Sequence, residues 1–321
     1  METERRSKKR IENCEDKQRK TYTNELKILH SEKMIKTENH STSKNFLDWA
    51  FGTVNIRSGK EKDEGANIYS IATTINNAKL SFCCIQEVKY RNSGHKIIKL
   101  DTGEQYEFHW CGTKKRREAG VGILIKVDKQ VEIQNPDYED PRIMSINLKI
   151  YGFCLRVVNA YAPTETGGSK NEKDTFYRNL CKACNVKEKH RKLLVLGDLN
   201  ATTSLAYRKS CFDGVKVIPD DNFNENGSRL KSFCRRMKLG MASTFFDCSL
   251  NERVTWYSCD KKTTKKNDYV LPESFIQQYI SSCKAYPDID FDSDHKILIT
   301  NLSTPTWKRA RWKNKLSLNK H

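Results

Sequence analysis

The chain has 321 residues, of which 37% are apolar and 31% charged, and carries a formal net charge of +18. No run approaches eighteen apolar residues, which argues against a transmembrane helix, and the charged opening Met1–Lys20 lacks the apolar segment of a secretory signal. The charge points to a polyanionic partner, nucleic acid before anionic lipid, with solubility alone as the plain alternative.

Residues 1–45 hold 12 Lys/Arg against 8 Asp/Glu without sustained periodicity, so a disordered basic arm is expected there. Arg5-Arg6-Ser7-Lys8-Lys9-Arg10 has the composition of a nuclear-import or phosphate-contact cluster, and nuclear localisation is the expectation that follows. A domain is expected over 46–303. Leu47–Ile56 reads as its first strand, and Asn67–Ala78 as a helix with Ile68, Ile71, Ala72 and Ile75 on one face. Leu80–Ile85 is a buried strand followed at once by Gln86-Glu87. Tyr106–Cys111 and Gly120–Val127 pair across the basic turn Lys114–Arg117, and Arg142–Ile150 and Phe153–Ala160 form a hairpin around Tyr151-Gly152. Lys170–Lys189 is helical in character, Leu193–Leu196 is a strand, and Asn226–Leu239 a helix. Thr244–Phe246, Val254–Tyr257 and Asp268–Leu271 read as strands, Glu273–Tyr279 as a short helix and Ile297–Asn301 as a last strand. Residues 304–321 are expected to be a basic tail. Residues 306–321 hold six Lys/Arg and no acid, which leaves a net +8 between arm and tail. The twelve cysteines are expected as reduced thiols; the single CxxC, Cys181 to Cys184, has no matching second pair, so zinc is not expected there.

Polar residues recur where strands end. After Leu193-Leu194-Val195-Leu196-Gly197 come Asp198 and Asn200, a carboxylate and a carboxamide two residues apart. In extended chain they would share a side, the Asp able to take a proton or hold a cation and the Asn able to donate to a phosphate oxygen. The bland alternative is an Asx-turn capping its own backbone. Asn55, Gln86-Glu87, Tyr161, Asp268 and Asp294-His295 occupy similar places. Gathered at one edge of two sheets, they would form an oxygen-rich pocket suited to a hard cation and a phosphoester.

Gly52-Thr53-Val54-Asn55-Ile56-Arg57, Ile85-Gln86-Glu87-Val88-Lys89, Val158-Asn159-Ala160-Tyr161-Ala162-Pro163-Thr164, Leu196-Gly197-Asp198-Leu199-Asn200-Ala201 and Ser293-Asp294-His295 resemble, in order and spacing, the motifs of the endonuclease/exonuclease/phosphatase family. Gly120–Leu124, Arg142–Ile146, Asn226–Leu230 with Phe233-Cys234, Thr244–Phe246 and Thr255-Trp256 are similar to the endonuclease domain of RTE-type non-LTR retrotransposons. The resemblance covers about residues 47–302. It implies an α/β four-layer sandwich, two mixed β-sheets packed face to face with helices outside. It implies Mg²⁺, or Mn²⁺, beside Glu87, Asn55 and Asp294. Asp198 is implied to orient or deprotonate the attacking water, Asn200 to hold a phosphate oxygen and Tyr161 to position the scissile phosphate. His295 is implied to stabilise developing charge, oriented by Asp268. One departure stands out: relatives carry an apolar residue just before this last Asp, where this chain has Asn267.

The expected function is a Mg²⁺-dependent phosphodiesterase nicking DNA, monomeric and without a membrane partner. No Phe/Tyr-x-Asp-Asp reverse-transcriptase signature occurs, so a stand-alone endonuclease-like chain is expected. The alternatives are a catalytically inactive nucleic-acid-binding module, and a phosphatase or phosphodiesterase acting on inositol lipids or sphingolipids.

Overall fold

A computed structural model describes residues 46–57, 64–114, 119–185, 190–203, 224–246 and 248–305. The expected basic arm, the tail from 306 and residues 115–117 of the basic turn lie outside the described residues.

Alternation along the strands builds three apolar layers. In β1 (Phe46–Asn55), Trp49 and Phe51 face one core while Ala50 and Val54 face another. In β2 (Phe82–Gln86), Phe82 and Cys84 join Trp49 and Phe51, while Cys83 and Ile85 join Ala50. Strands buried on both faces need cover on both, which explains their unbroken apolar runs. Around them lie β3 (Ser93–Lys99), β4 (Gln105–Cys111), β5 (Val121–Lys126), β13 (Ile280–Tyr286) and β14 (Ile297–Pro305), in the order β13-β14-β1-β2-β5-β4-β3. The helix α1 (Glu64–Asn77) covers the outer face with Ile68, Ile71, Ala72 and Ile75.

The second sheet runs β12-β9-β8-β7-β6, from β6 (Val131–Asp140), β7 (Ile143–Ile150), β8 (Phe153–Tyr161), β9 (Lys192–Asp198) and β12 (Asp268–Pro272). Its outer face is covered by α2 (Lys170–Ala183) and α3 (Glu225–Met237) through Phe176, Leu180, Leu230 and Phe233. Between the sheets lies the third layer, with Val157, Leu194 and Leu196 facing Phe51, Phe82 and Cys84. Because β1–β2 and β8–β9 are parallel and the other pairs antiparallel, both sheets are mixed. The architecture is the expected four-layer α/β sandwich. A two-stranded ribbon, β10 (Trp256–Tyr257) and β11 (Thr264–Lys265), and two single-turn helices, α4 (Leu250–Arg253) and α5 (Ser274–Gln277), complete the described elements.

Some local expectations change. Thr244–Phe246 is not a strand: Ala242–Thr244 is a 3-10 turn, closed by the Thr244 hydroxyl donating to the Met241 carbonyl at 2.7 Å. Phe245 and Phe246 look strand-like because they serve two different cores. Val254–Tyr257 contributes a ladder only at Trp256–Tyr257. The edge strands β3 and β6 escape sequence reading for related reasons. β3 is mostly exposed and polar, and β6 carries Pro136 and two register irregularities, features that protect sheet edges and blur alternation.

Candidate active site

Each site residue sits at one end of a strand: Asn55, Tyr161 and Asp198 close β1, β8 and β9, Glu87 follows β2, Asp268 opens β12 and Asp294-His295 precede β14. Gly197 ends the apolar run of β9 with φ 146°, and a Cβ there would lie 1.8 Å from the Ala160 carbonyl oxygen. Only glycine permits this close approach of β8 and β9, which brings Tyr161 opposite Asp198 in register. On the other sheet, the alternation that turns Gln86 into the interior would turn Glu87 out toward the helix layer. Glu87 instead adopts φ 56° and is re-aimed across the sheets. A non-glycine residue in this conformation costs of order 1–3 kcal/mol and is tolerated where surrounding contacts over-determine it.

The contacts that do so run across the gap between the sheets. Asn55, 1% exposed at the end of β1, donates through Nδ2 to Glu87 Oε1 and to Asp198 Oδ2, both at 3.0 Å. The Tyr161 hydroxyl, from the second sheet, donates to Glu87 Oε1 at 2.8 Å. His295, just before β14, places Nδ1 2.9 Å from Asp268 Oδ2 and Nε2 3.8 Å from Asp198 Oδ2. Asp198 and Asp268 are themselves cross-strand neighbours. Thus Asn55, Glu87, Tyr161, Asp198, Asp268 and His295 converge on one seam, although Asn55 and His295 are far apart in the chain.

Asn267 does not disturb the register of β12. Its N–H and that of Asp268 both donate to Thr255 Oγ1, at 3.0 and 3.2 Å, and its carbonyl accepts from Leu199 N at 2.9 Å. Asn200 differs from the extended geometry expected of it. The strand stops at Asp198, Asn200 takes φ 45°, and its N–H donates to Asp198 Oδ1 at 3.0 Å. Its amide donates to the Ala162 carbonyl at 3.0 Å. The Asx-turn and the site are therefore one feature, in which the turn fixes the carboxylate. Asp294 stands at the rim, with Oδ2 accepting from Arg57 Nη1 at 3.1 Å and Trp256 Nε1 at 3.0 Å.

The environment drives the ionisable groups apart. Burial pushes the Asp198 carboxyl well above the usual carboxylate range; His295 opposes this and Asp268 reinforces it. Burial alone would lower the His295 imidazole, but the carboxylates of Asp268 and Asp198 outweigh it and raise the group to about 9. Burial would also raise Glu87, yet hydrogen bonds from Asn55 and Tyr161 and the Lys89 ammonium, 3.4 Å away, hold it below its ordinary value. Tyr161 is pushed far up by burial and by its carboxylate neighbours, so it stays a hydroxyl donor.

These states bear on metal binding. Glu87 remains an anionic oxygen ligand, the type a hard divalent cation takes. The buried atoms of Asp198, Asp268 and His295 lie within 4.8 Å of one another, and Asp268 Oδ1 has no hydrogen-bond partner among the described residues. Within this trio His295 Nδ1 pairs with Asp268 Oδ2 at 2.9 Å and Nε2 faces Asp198 Oδ2 at 3.8 Å. Glu87 thus offers carboxylate oxygens that fit a hard cation, while Asn55 could add only Oδ1, which accepts from Arg57 N at 3.0 Å, because its Nδ2 is a donor.

Several contributors were not singled out in the sequence. Lys89 and Arg57 set the charge around Glu87 and Asp294. Arg142 lies 5.0 Å over the Tyr161 ring and donates to the Tyr161 carbonyl at 3.3 Å. Asn224 caps α3 by accepting from Gly227 N at 2.7 Å; it also accepts from Thr202 N at 2.9 Å and donates to the Asn200 carbonyl at 2.9 Å. The available signal was an Asn directly before a helix, but its link to Asp198 spans chain that only folding brings together.

No protein-family model matches the chain. Over 259 residues it is 26% identical to craniofacial development protein 2 of Tragulus javanicus, a match covering 78% of this chain and 42% of that protein. The Bos taurus protein of the same name is also 26% identical, with 40% of its length covered. The chain thus spans about two fifths of the length of these curated relatives. Among solved structures, the catalytic domain of Xenopus laevis APE2 superposes with a TM-score of 0.57 at 14% identity, covering 81% of this chain and 94% of that one. The endonuclease domain of TRAS1, a telomere-specific non-LTR retrotransposon, gives 0.54 at 12% identity, covering 80% and 98%. The chain is similar in sequence to craniofacial development protein 2, and its two-sheet α/β sandwich is the fold of solved AP endonucleases, such as that of Leishmania major at a TM-score of 0.54.

Proposed function

We propose that this chain is a divalent-metal-dependent phosphodiesterase that nicks DNA. One observation carries the reading: a carboxyl held above its usual range (Asp198) and an imidazole held protonated (His295) face each other at 3.8 Å in a buried seam. A carboxyl lifted toward neutrality can act as a base beside an imidazole that keeps its proton as a hydrogen-bond donor, which is what general acid–base chemistry needs. Names among the structural neighbours, an AP endonuclease and a retrotransposon endonuclease domain, agree with this substrate class.

In this reading Glu87 and Asn55 would hold Mg²⁺ or Mn²⁺, with Asp294 at the rim. When bound, such a cation neutralises phosphate charge and assists departure of the leaving oxygen. Asp198, oriented by Asn55 Nδ2 and the Asn200 N–H, takes the proton of the attacking water. His295, its Nδ1 anchored on Asp268, directs Nε2–H at oxygens whose negative charge grows in the transition state. Tyr161 holds Glu87 in place and lines the phosphate position, and Asn200 adds a carboxamide donor.

A second reading, a nucleic-acid-binding module without turnover, is favoured by one contact: Asp294 Oδ2 already accepts from Arg57 and Trp256. A supercoiled-plasmid assay in Mg²⁺ or Mn²⁺ against EDTA separates the two. Nicking that EDTA abolishes supports the first, and DNA binding without nicking in either metal replaces it with the second.

A further inference from the structure

Beneath the catalytic residues lies a second polar layer between the sheets. Along β1, Phe51 faces the interior, and Thr53 and Asn55 follow at two-residue spacing on that face; along β8 the same holds for Val157, Asn159 and Tyr161. Gln86 continues the inward face of Phe82 and Cys84. Thr53, Asn159 and Gln86, the last in register with Asn55, form one hydrogen-bonded layer, each 0% exposed, adjoining Asn55, Tyr161 and Asp198. Gln86 Nε2 donates to Asn159 Oδ1 at 2.7 Å and to Thr53 Oγ1 at 3.0 Å. Asn159 Nδ2 donates to two carbonyls of the opposite sheet, Ile85 at 2.9 Å and Gly122 at 2.7 Å. Asn159 thus spans the sheet gap and ties the second sheet to both β2 and β5.

We propose that Asn159, with Gln86 and Thr53, is a positioning unit that fixes the spacing and register of the two sheets where the active site is divided between them. The inference rests on the phosphodiesterase reading of that site. The site consists of cross-sheet contacts: Asn55 to Asp198, Tyr161 to Glu87, and His295 to Asp268. Such contacts last only if the gap is constant. Apolar packing is non-directional and tolerates sliding by fractions of an ångström, whereas short, near-saturated amide bonds do not. A fully satisfied polar layer adds little net stability over an apolar one of the same shape, because its desolvation offsets its hydrogen bonds. Its value to the molecule is therefore geometric. Asn159 is two residues from Tyr161 and opposite Leu196, which is two residues from Asp198, and Gln86 adjoins Glu87. The layer reaches three catalytic positions through one or two residues of rigid strand.

The test replaces the layer by apolar groups of similar shape: Thr53→Val, Gln86→Met and Asn159→Leu together. Thermal unfolding should stay close to wild type. Nicking kcat should fall about 10–100-fold, the usual effect of removing a support behind a reacting group, while KM for DNA stays within about twofold, since affinity comes mainly from phosphate contacts elsewhere. A crystal structure of the variant should show the Asn55–Asp198 and Tyr161–Glu87 contacts lengthened beyond about 3.5 Å, outside hydrogen-bond range. Should the triple variant not fold, Gln86→Met alone, which leaves Asn159 its two carbonyl partners, should give the same loss at smaller size. Unchanged kcat, or cross-sheet contacts that keep their lengths, overturns the proposal. Failure of wild type to nick sinks the phosphodiesterase reading instead, and the variant's cross-sheet distances still decide whether the layer positions the site.

Discussion

His295 shows how far neighbours can move a side chain from its ordinary chemistry. Asp268 and Asp198 raise it to about 9, while burial raises Asp198. Asp198 must be ionised to accept a proton and His295 must keep its own, so nicking should climb through a pH above the ordinary carboxylate range and decline above about pH 9. Because the two groups interact, the limbs of the single-turnover pH–rate profile belong to the pair. Asp268→Asn removes the carboxylate that raises His295 most, so the alkaline limb should move down toward the ordinary histidine value of about 6.5. A limb that stays in place would deny Asp268 its orienting role. Asp198→Asn should cost on the order of 10²–10⁴ in rate, the worth of a positioned base, with DNA affinity nearly unchanged. Equal nicking by both proteins would remove Asp198 from the mechanism.

At the scale of elements, the close parallel pairing of β8 and β9 and the capping of α3 hold the Asp198 loop from two sides. Gly197→Ala places a methyl against the Ala160 carbonyl, so the strands must separate; a loss of about 1–3 kcal/mol or more in chemical denaturation is expected, the range of strained or overpacked core changes. Full retention of stability would mean the two strands can part without cost. Asn224→Ala removes a cap worth about 1 kcal/mol to the helix. It also frees Thr202 N and leaves the Asn200 carbonyl with only the longer bond from Asn226 Nδ2 at 3.2 Å. Nicking should therefore fall by more than the stability change accounts for, measured well below the melting temperature.

For the whole molecule, the relevant quantity is charge. Residues 46–305 carry a net +8 of their own, apart from the charge of the arm and the tail. DNA binding should weaken steeply with salt, each lost phosphate contact reducing the slope of log K against log salt by about 0.9. Neutralising Lys114, Lys115, Arg116 and Arg117 together should flatten that slope, as fluorescence anisotropy across a salt series can show. An unchanged slope would place the DNA face on another part of the surface. Among the described residues no helix is long and apolar enough to cross a membrane.

The sequence by itself determined the elements that are buried on both faces. The apolar runs at 82–85 and 193–196, the Tyr151-Gly152 hairpin and the amphipathic spacing of α1 to α3 state their periodicity locally, because each has a core on one side or both. It also placed Glu87 and Asp198 directly after apolar runs and His295 just before one, and a polar residue at the edge of such a run is visible in one dimension. The edges β3 and β6 stayed hidden, because an exposed edge needs no alternation and is better protected without it. What only the tertiary structure decided is everything that crosses the sheets. Sequence order says nothing of Asn55 bonding Asp198, 143 residues away, or of Asn159 reaching the carbonyls of Ile85 and Gly122. It offered the Asx-turn at Asp198 only as an alternative to a site, where the structure has both, and it could not show that Arg57 lies on Asp294. The proton affinities follow the same rule: burial and neighbouring charge set them, and both exist only after two sheets, each incomplete as a site, have packed face to face.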